Sequence, residues 1–201
     1  MLELKRLRSG QFIRSLCAKS GILAGLVYWL SVVISISRNP WFSFFKNALS
    51  DLGNPKATAP WIYNLGLIIS AVFLFAFTIS LIVDARNKLQ TVGGAYISVS
   101  AIFLALIGVF HSGTEPHVFV STYFFVQFFL GILIYGLGSF SFVKKISITL
   151  FILALVGLGI PWPSTALLEA YEIILLMVFA YVNSSKQISH SSEFGVESMR
   201  K

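Results

Sequence analysis

Six long apolar runs dominate this sequence. They lie near residues 20–37, 61–83, 92–110, 118–143, 146–160 and 165–183. A helix needs about 20 apolar residues to cross a hydrocarbon core of about 30 Å, because each residue advances it by about 1.5 Å. Such a helix also satisfies its own backbone hydrogen bonds inside lipid, which an irregular segment cannot do. The runs therefore predict an all-α integral membrane bundle of six transmembrane helices.

The amino-acid composition agrees with this prediction and excludes several classes of function. Of the 201 residues, 56% are hydrophobic and only 11% are charged, which is far from the usage of soluble domains. The sequence contains no glycine-rich phosphate loop of the Walker or Rossmann form, so a soluble nucleotide enzyme is excluded. The single cysteine, Cys17, cannot form an intramolecular disulfide.

The basic residues are divided unequally between the two sides that six spans would define. Twelve of the 15 Lys and Arg residues lie on the side of the two termini, and only Arg38, Lys46 and Lys56 lie on the other side. Since cytoplasmic loops carry the excess of Lys and Arg, the sequence predicts a multipass cell-membrane protein with both termini in the cytoplasm. The net charge of +7 is then a topology signal. Membrane lipid is the expected partner, and no nucleic acid is expected.

Composition also divides the chain into three predicted parts. Residues 1–19 form a basic cytoplasmic amino-terminal segment, residues 20–183 form the six-span membrane domain, and residues 184–201 form a polar cytoplasmic tail. The two halves of the membrane domain share no repeated pattern, so a transporter built from inverted repeats gains no support. A partner subunit and a homo-oligomer both remain open.

Two carboxylates lie within the last apolar run, at membrane depth. If that helix begins near Ser164, Glu169 lies about 8 Å and Glu172 about 12 Å along its axis. A carboxylate facing lipid would cost at least about 2.5 kcal/mol, so each must be neutralised, paired or turned into the protein. Residues three positions apart share a helix face. The pair predicts either hydrogen bonds that lock neighbouring helices or a shared polar cavity.

A second polar group occupies the short loop His111-Ser112-Gly113-Thr114-Glu115-Pro116-His117. The loop is short enough to keep both imidazoles near the outer boundary. Each histidine is either a cap bonded to a carbonyl, or a metal ligand or proton-transfer group. Together with Asp51, they are the candidate ligands of a divalent metal such as zinc, with a bound water as nucleophile. Whether the protein holds a cofactor at all remains open, because no His-x-x-x-His or His-Glu-x-x-His spacing occurs.

The first outer loop supplies a hydroxyl and a further carboxylate in Leu49-Ser50-Asp51-Leu52-Gly53. This pattern predicts a tight turn in which Asp51 either caps backbone N–H groups or pairs with a nearby Lys or Arg. If the turn lies beside the other polar groups, hydroxyl, acid and base meet at one face of the bundle. The candidate catalytic residues are therefore Ser50, Asp51, His117 and Glu169.

Several motifs together resemble one membrane family. They are Leu49-Ser50-Asp51-Leu52-Gly53, Ile62-Tyr63-Asn64-Leu65-Gly66-Leu67, Ile107-Gly108-Val109-Phe110, Pro116-His117-Val118-Phe119-Val120-Ser121 and Leu167-Leu168-Glu169. Over roughly residues 20–183 the chain is similar to the archaeal and bacterial six-span family called domain of unknown function 998, and more distantly to the DRAM and FRAG membrane proteins. The resemblance implies a six-helix bundle. It marks as pattern positions Ser50, Asp51, Asn64, His117 and Glu169.

The chain departs from that family pattern at two places. His111-Ser112 stands where the family has Pro-Glu after the phenylalanine, and Glu115 is the candidate replacement for that glutamate. Ala170-Tyr171 stands where the family has an arginine soon after the last glutamate. The candidate binding residues are Asn64, His111, Glu115 and Glu172.

Three functions remain open on the sequence alone. The simplest is a membrane bundle or accessory subunit with a polar cluster near the extracytoplasmic face, in which the polar side chains bond to the protein and leave no cavity. The alternative is a membrane-embedded hydrolase, metal-assisted or not, acting on a lipid or lipid-linked substrate from an outward-opening pocket. The second alternative is a small-solute transporter, which requires a polar path from Glu172 to the cytoplasm.

Overall fold

The structure, a computed structural model, consists of long helices joined by short connections. It describes the backbone of residues 2–198 and the side chains of residues 16–184. The long helices are α1 (Leu2–Arg38), α2 (Trp61–Val83), α3 (Lys88–Val109), α4 (His117–Leu137), α5 (Ser141–Gly159) and α6 (Thr165–Ser198). A short 3₁₀ helix, Leu49–Gly53, lies between α1 and α2 and is called the loop helix. All six long helices contain a segment long and apolar enough to cross a membrane, which confirms the six-span, all-α prediction.

Successive helices run in opposite directions, so their connections collect at two ends of the bundle. The loop end carries the connections 39–60, 110–116 and 160–164. The basic end carries the connections 84–87 and 138–140, and beside them the side chains of Arg86, Lys88, Lys144 and Lys145. Each helix contacts its neighbours along the chain, and α1 also contacts α6. The six helices therefore close into a ring.

The terminal helices extend beyond the predicted membrane domain. Its predicted borders at residues 20 and 183 fall inside α1 and α6, which continue through them without a break. The side chains of residues 1–15 and 185–201 lie outside the described part of the chain. The roles assigned to the two terminal segments thus stay predictions.

The connection between α4 and α5 lies nearer the amino terminus than the hydropathy pattern predicted. The apolar run suggested a turn at residues 144–145, whereas α4 ends at Leu137 and α5 begins at Ser141. Lys144 is consequently a residue of the first turns of α5. The hydropathy pattern does not reveal the end of α4, because Leu137 and Phe140 are apolar although both are exposed at the turn. Gly138 is the C-cap residue that ends α4.

Large apolar side chains remain exposed on the outer surface of the ring. Leu26 of α1, Val72 of α2 and Leu155 of α5 are each more than half exposed. A surface covered by such residues would favour association in water, whereas it suits contact with lipid tails. The exposed face thus supports a membrane-embedded bundle that contacts lipid.

Aromatic side chains fill the centre of the ring towards the basic end. The ring of Phe179 on α6 contacts Phe77 of α2, and Phe128 and Tyr135 of α4, with centroid distances of 6.5, 6.4 and 5.9 Å. All three contacts are edge to face, a favourable arrangement for aromatic pairs. Phe179 lies about 21 Å along α6 from Thr165. This aromatic cluster joins α2, α4 and α6 and closes the middle of the ring.

Helices α3 and α4 pack closely against each other at Gly93 and Gly131. A Cβ atom on Gly131 would lie 2.9 Å from the carbonyl oxygen of Gly93 and 3.0 Å from the backbone nitrogen of Ile97. Both neighbours are main-chain atoms, so a larger residue would have to separate the helices. The glycines therefore set the distance between α3 and α4.

Candidate functional site

The loop helix is a buried plug at the loop end of the ring. Leu49 and Leu52 are fully buried, and Ser50 is only 9% exposed. The carboxylate of Asp51 accepts a hydrogen bond of 2.9 Å from the backbone N–H of Ala48, which stabilises the start of this short helix. The loop helix is thus held in the bundle by its buried leucines, and Ser50, which lies between them in the sequence, is buried as well.

Three hydrogen bonds fasten this loop to the beginning of α6. Oε2 of Glu169 accepts a hydrogen bond of 2.6 Å from the backbone N–H of Leu49. The N–H of Ala166 donates to the carbonyl of Asn47 at 2.9 Å, and the hydroxyl of Ser164 donates to the carbonyl of Phe44. One carboxylate oxygen of Glu169 is therefore committed to holding the loop helix in place.

Two asparagines fasten the same loop on its other side. Nδ2 of Asn64, on α2, donates to the carbonyl of Gly53 at 3.0 Å. Nδ2 of Asn54 donates to the carbonyl of Ser112 at 3.1 Å, which joins the loop to the connection between α3 and α4. The loop helix is thus bonded to α2 and α6, and Asn54, which directly follows it, is bonded to the 110–116 connection. Asn64, a candidate binding residue, has a structural partner.

His117 is placed by the end of α3 as well as by its own helix. It is the first residue of α4, it follows Pro116, and it is 9% exposed. Its Nδ1 lies 2.8 Å from the carbonyl oxygen of Phe110. Because a carbonyl only accepts hydrogen bonds, Nδ1 carries the hydrogen, and in the neutral ring Nε2 keeps its lone pair. The backbone of Phe110 therefore selects the tautomer in which Nε2 can act as a base.

A small cavity lies beneath the loop helix, with a volume of about 50 Å³. Its polar lining residues are Tyr28, Ser50, Tyr63, His117, Ser121 and Glu169. The apolar part of the wall includes Phe124 and Ile173. A space of this size can hold water, and it is much smaller than the roughly 300–1,000 Å³ of a typical small-molecule pocket. The cavity thus brings together three of the four candidate catalytic residues.

The remaining candidates lie elsewhere. Asp51 is not among the lining residues, and its carboxylate bonds within the loop helix. Nδ1 of His111 bonds to the adjacent carbonyl of Ser112 at 3.0 Å. Glu115 is exposed in the same connection. Glu172 is 5% exposed on α6, does not line the cavity, and makes no hydrogen bond with any residue whose side chain is described.

The proposed metal ligands do not assemble. Among residues 16–184, no group of three or more His, Cys, Asp or Glu side chains is arranged to hold a metal ion. His117, Asp51 and His111 instead each have a local backbone partner. The physical reason is that each side chain makes a hydrogen bond with a backbone group at the end of a different helix or turn. This arrangement therefore gives no support to a metal site built from these three residues.

Two tyrosines in the cavity wall were not singled out as site residues from the sequence. Tyr28 lies on α1 and Tyr63 near the start of α2, and both are buried. Their rings meet edge to face with centroids 6.3 Å apart. Both stand inside apolar runs, where a tyrosine looks like one more core residue. The sequence offered one indication: Tyr63 directly precedes Asn64, which is a candidate binding residue.

The family described as protein of unknown function (DUF998) matches residues 22–185. The chain belongs to this family. All residues that line the cavity fall inside the matched region of this DUF998 protein, so the site is part of the family domain. No curated protein and no solved structure matches the chain. The similarity to DRAM and FRAG proteins stays a prediction.

Proposed function

We propose that this DUF998 protein is a membrane-embedded hydrolase that acts on a lipid or lipid-linked substrate at the loop end. The observation that carries the proposal is the meeting of Ser50, His117 and Glu169 at one cavity. These residues come from the loop helix, α4 and α6, so only the folded ring unites them. Acid, base and hydroxyl side chains around a water-sized space are the groups that hydrolysis requires.

His117 is the proposed general base. Its Nε2 accepts a proton from a water in the cavity while the water oxygen attacks the ester carbon or phosphorus of the substrate. The bond from Nδ1 to the Phe110 carbonyl holds the imidazole and stabilises the charged ring that results. The base is thus oriented by backbone, without a third acidic side chain.

Glu169 and the two tyrosines complete the proposed chemistry. The carboxyl group of Glu169 gives a proton to the leaving alcohol, and the proton held by His117 then restores it. The hydroxyls of Tyr28 and Tyr63 supply donors for the negative charge that develops on the attacked group. Ser50 orients the water. Only the reacting group fits the cavity, so the remainder of the substrate lies outside it, beside the half-buried Ser121 and Phe125 of α4.

The proposed orientation follows from charge. Twelve of the 15 basic residues belong to the side of the termini, which includes the basic end. The positive-inside rule therefore places both termini in the cytoplasm and the loop end on the extracytoplasmic side of the cell membrane. The cavity would then receive its substrate from the outer leaflet.

The other two functions have weaker support. A packing or accessory role is favoured by the bond between Glu169 and Leu49, which is purely structural. A transporter needs a continuous polar path, and the aromatic rings around Phe179 fill the middle of the ring below the cavity. The hydrolase accounts for the cavity, whereas a packing role does not need one.

The test is an isotope assay in which every lipid of a membrane extract serves as a candidate substrate. The full-length protein is placed in nanodiscs of a polar lipid extract in ¹⁸O-water, and every released fatty acid, alcohol and phosphate is analysed by mass spectrometry. We expect ¹⁸O in one product class. We expect Glu169→Gln and His117→Asn to lower the rate by at least about 100-fold.

Matched controls separate chemistry from folding. The variants Glu115→Gln and His111→Asn make the same chemical changes outside the cavity and should keep the wild-type rate. Glu169→Gln keeps an oxygen that can accept from Leu49, and His117→Asn keeps an N–H that can donate to Phe110. Product formation no faster than in empty nanodiscs, or equal rates in cavity and control variants, would show that the hydrolase proposal is wrong.

A further inference from the structure

The basic end carries a second, separate concavity. An open groove of about 640 Å³ lies between the start of α3 and the connection between α4 and α5. Its lining includes Lys88 at the start of α3 and Lys144 of α5, together with Asn87, Ser139 and Ser141. This groove is more than ten times larger than the cavity under the loop helix. It is at the opposite end of the bundle from the candidate active site.

Hydrogen bonds join the start of α3 to the connection between α4 and α5, which together line the groove. Nδ2 of Asn87 donates to the carbonyl of Gly138 at 2.7 Å, and Nε2 of Gln90 donates to the hydroxyl of Ser139 at 3.0 Å. Oδ1 of Asn87 also accepts from the N–H of Gln90 and so caps α3. The groove therefore lies between two elements that hydrogen bonds join to each other.

The charged residues that line the groove are both basic. No acidic residue lines it. Among the described residues, neither Lys88 nor Lys144 forms an ion pair or a hydrogen bond with a side chain. Two ammonium groups that face one groove repel each other, and an anion between them would relieve that repulsion. Positive-inside topology explains why lysines are present at this end, but it does not require them to share a groove.

The rim of the groove is apolar. Leu89 and Leu137 are 49% and 45% exposed, and Phe140 is 72% exposed. Leu89 lies in the first turn of α3, Leu137 is the last residue of α4, and Phe140 directly precedes α5. A soluble anion would contact only the lysines. A phospholipid would contact both the lysines and the apolar rim, with its phosphate in the groove and its acyl chains against the rim. Basic pockets between spans at the cytoplasmic side are suited to anionic headgroups.

From these features we infer that this groove is a binding site for an anionic phospholipid. The headgroup phosphate lies between Lys88 and Lys144 and accepts hydrogen bonds from both ammonium groups. The first acyl carbons lie against Leu137 and Phe140. The inference rests on the membrane-embedded fold and does not depend on the hydrolase proposal.

The test measures lipid retention by native mass spectrometry on the full-length protein in detergent. Phosphatidylglycerol is compared with phosphatidylcholine of the same acyl chains, added at equal concentration. We expect preferential retention of phosphatidylglycerol. In Lys88→Gln/Lys144→Gln its affinity should fall about 30-fold, which corresponds to about 1 kcal/mol for each lysine near an anionic surface.

Two control variants make the result specific. Lys145→Gln removes the adjacent exposed lysine, which does not line the groove, and should bind like the wild type. Lys88→Arg/Lys144→Arg keeps both charges and should restore binding. Equal retention of the two lipids, an unchanged affinity in the double Gln variant, or displacement of phosphatidylglycerol by millimolar inorganic phosphate would each overturn the assignment to an anionic phospholipid.

Discussion

The backbone N–H of Leu49 donates a hydrogen bond of 2.6 Å to Oε2 of Glu169, which joins residues 120 positions apart in the chain. The same Glu169 lines the cavity with His117 and Ser50. Its carboxyl group therefore has two neighbours of different kinds, a main-chain donor that holds the loop helix and a cavity that holds the candidate chemistry. The position of the loop helix and the geometry of the site are coupled through this one side chain.

This coupling predicts different outcomes for two substitutions at Glu169. Glu169→Gln retains an acceptor for Leu49, so thermal stability in detergent should stay close to that of the wild type. Glu169→Ala leaves a buried N–H without a partner, which costs about 1–3 kcal/mol, and the peptide that contains residues 47–53 should exchange its amide hydrogens faster. Hydrogen exchange with mass spectrometry measures this directly. Equal protection of that peptide in the Ala and Gln variants would contradict the assigned anchor.

The packing of α3 against α4 predicts a strong glycine effect. Gly131→Ala forces a methyl group against the backbone of Gly93 and Ile97, and overpacking of this kind costs about 1–3 kcal/mol. A Cβ atom on Gly159 meets nothing within 4 Å, so Gly159→Ala is the matched control. Thermal unfolding in detergent should show a lowered midpoint for Gly131→Ala only. Similar midpoints for the two variants would mean that α3 and α4 are not in close contact.

The proposed topology is testable because the chain has a single cysteine. In a Cys17→Ser background, Lys56→Cys places a thiol in the loop at the loop end, and Lys145→Cys places one near the basic end; both positions are exposed. A membrane-impermeant maleimide on intact cells should label the first and leave the second unlabelled. After permeabilisation both should react. Labelling of Lys145→Cys alone in intact cells would show that the orientation is the opposite of the one proposed.

The fold could be predicted from the sequence because bilayer thickness sets the length of an apolar run. That signal depends on hydropathy alone, and it misplaced the turn between α4 and α5 because Leu137 and Phe140 continue the apolar pattern through it. Ser50, His117 and Glu169 could be singled out because polar side chains near the membrane are few. Their convergence at one cavity depends on helix packing, which no single sequence displays.

The remaining site residues could not be sorted by residue type. Asp51 and Asn64 have the same donors and acceptors whether they bind a ligand or fasten a loop, and in the structure both bond to backbone groups of the connection 39–60. Tyr28 could not be recognised as a site residue from the sequence, because a tyrosine within an apolar run is typical of a core residue. In the structure its side chain lines the cavity. Only the position of each side chain separates these roles.

The tyrosine wall leads to a last prediction, which distinguishes a catalytic cavity from a packing defect. Tyr28→Phe removes one hydroxyl and keeps the ring, so the edge-to-face contact with Tyr63 survives. If that hydroxyl stabilises developing negative charge, its loss should lower the rate in the ¹⁸O assay by about 100-fold, the usual cost of one such donor. The unfolding midpoint should hardly change, since the apolar ring still fills its place.

Tyr123→Phe is the matched control for this variant, because Tyr123 lies on the exposed side of α4 and does not line the cavity. Its rate and midpoint should both equal those of the wild type. A lowered midpoint with an unchanged rate in Tyr28→Phe would assign the hydroxyl to folding. A lowered rate at an unchanged midpoint would support a role for the hydroxyl at the reacting group or its water, because the ring contact with Tyr63 is the same in both proteins.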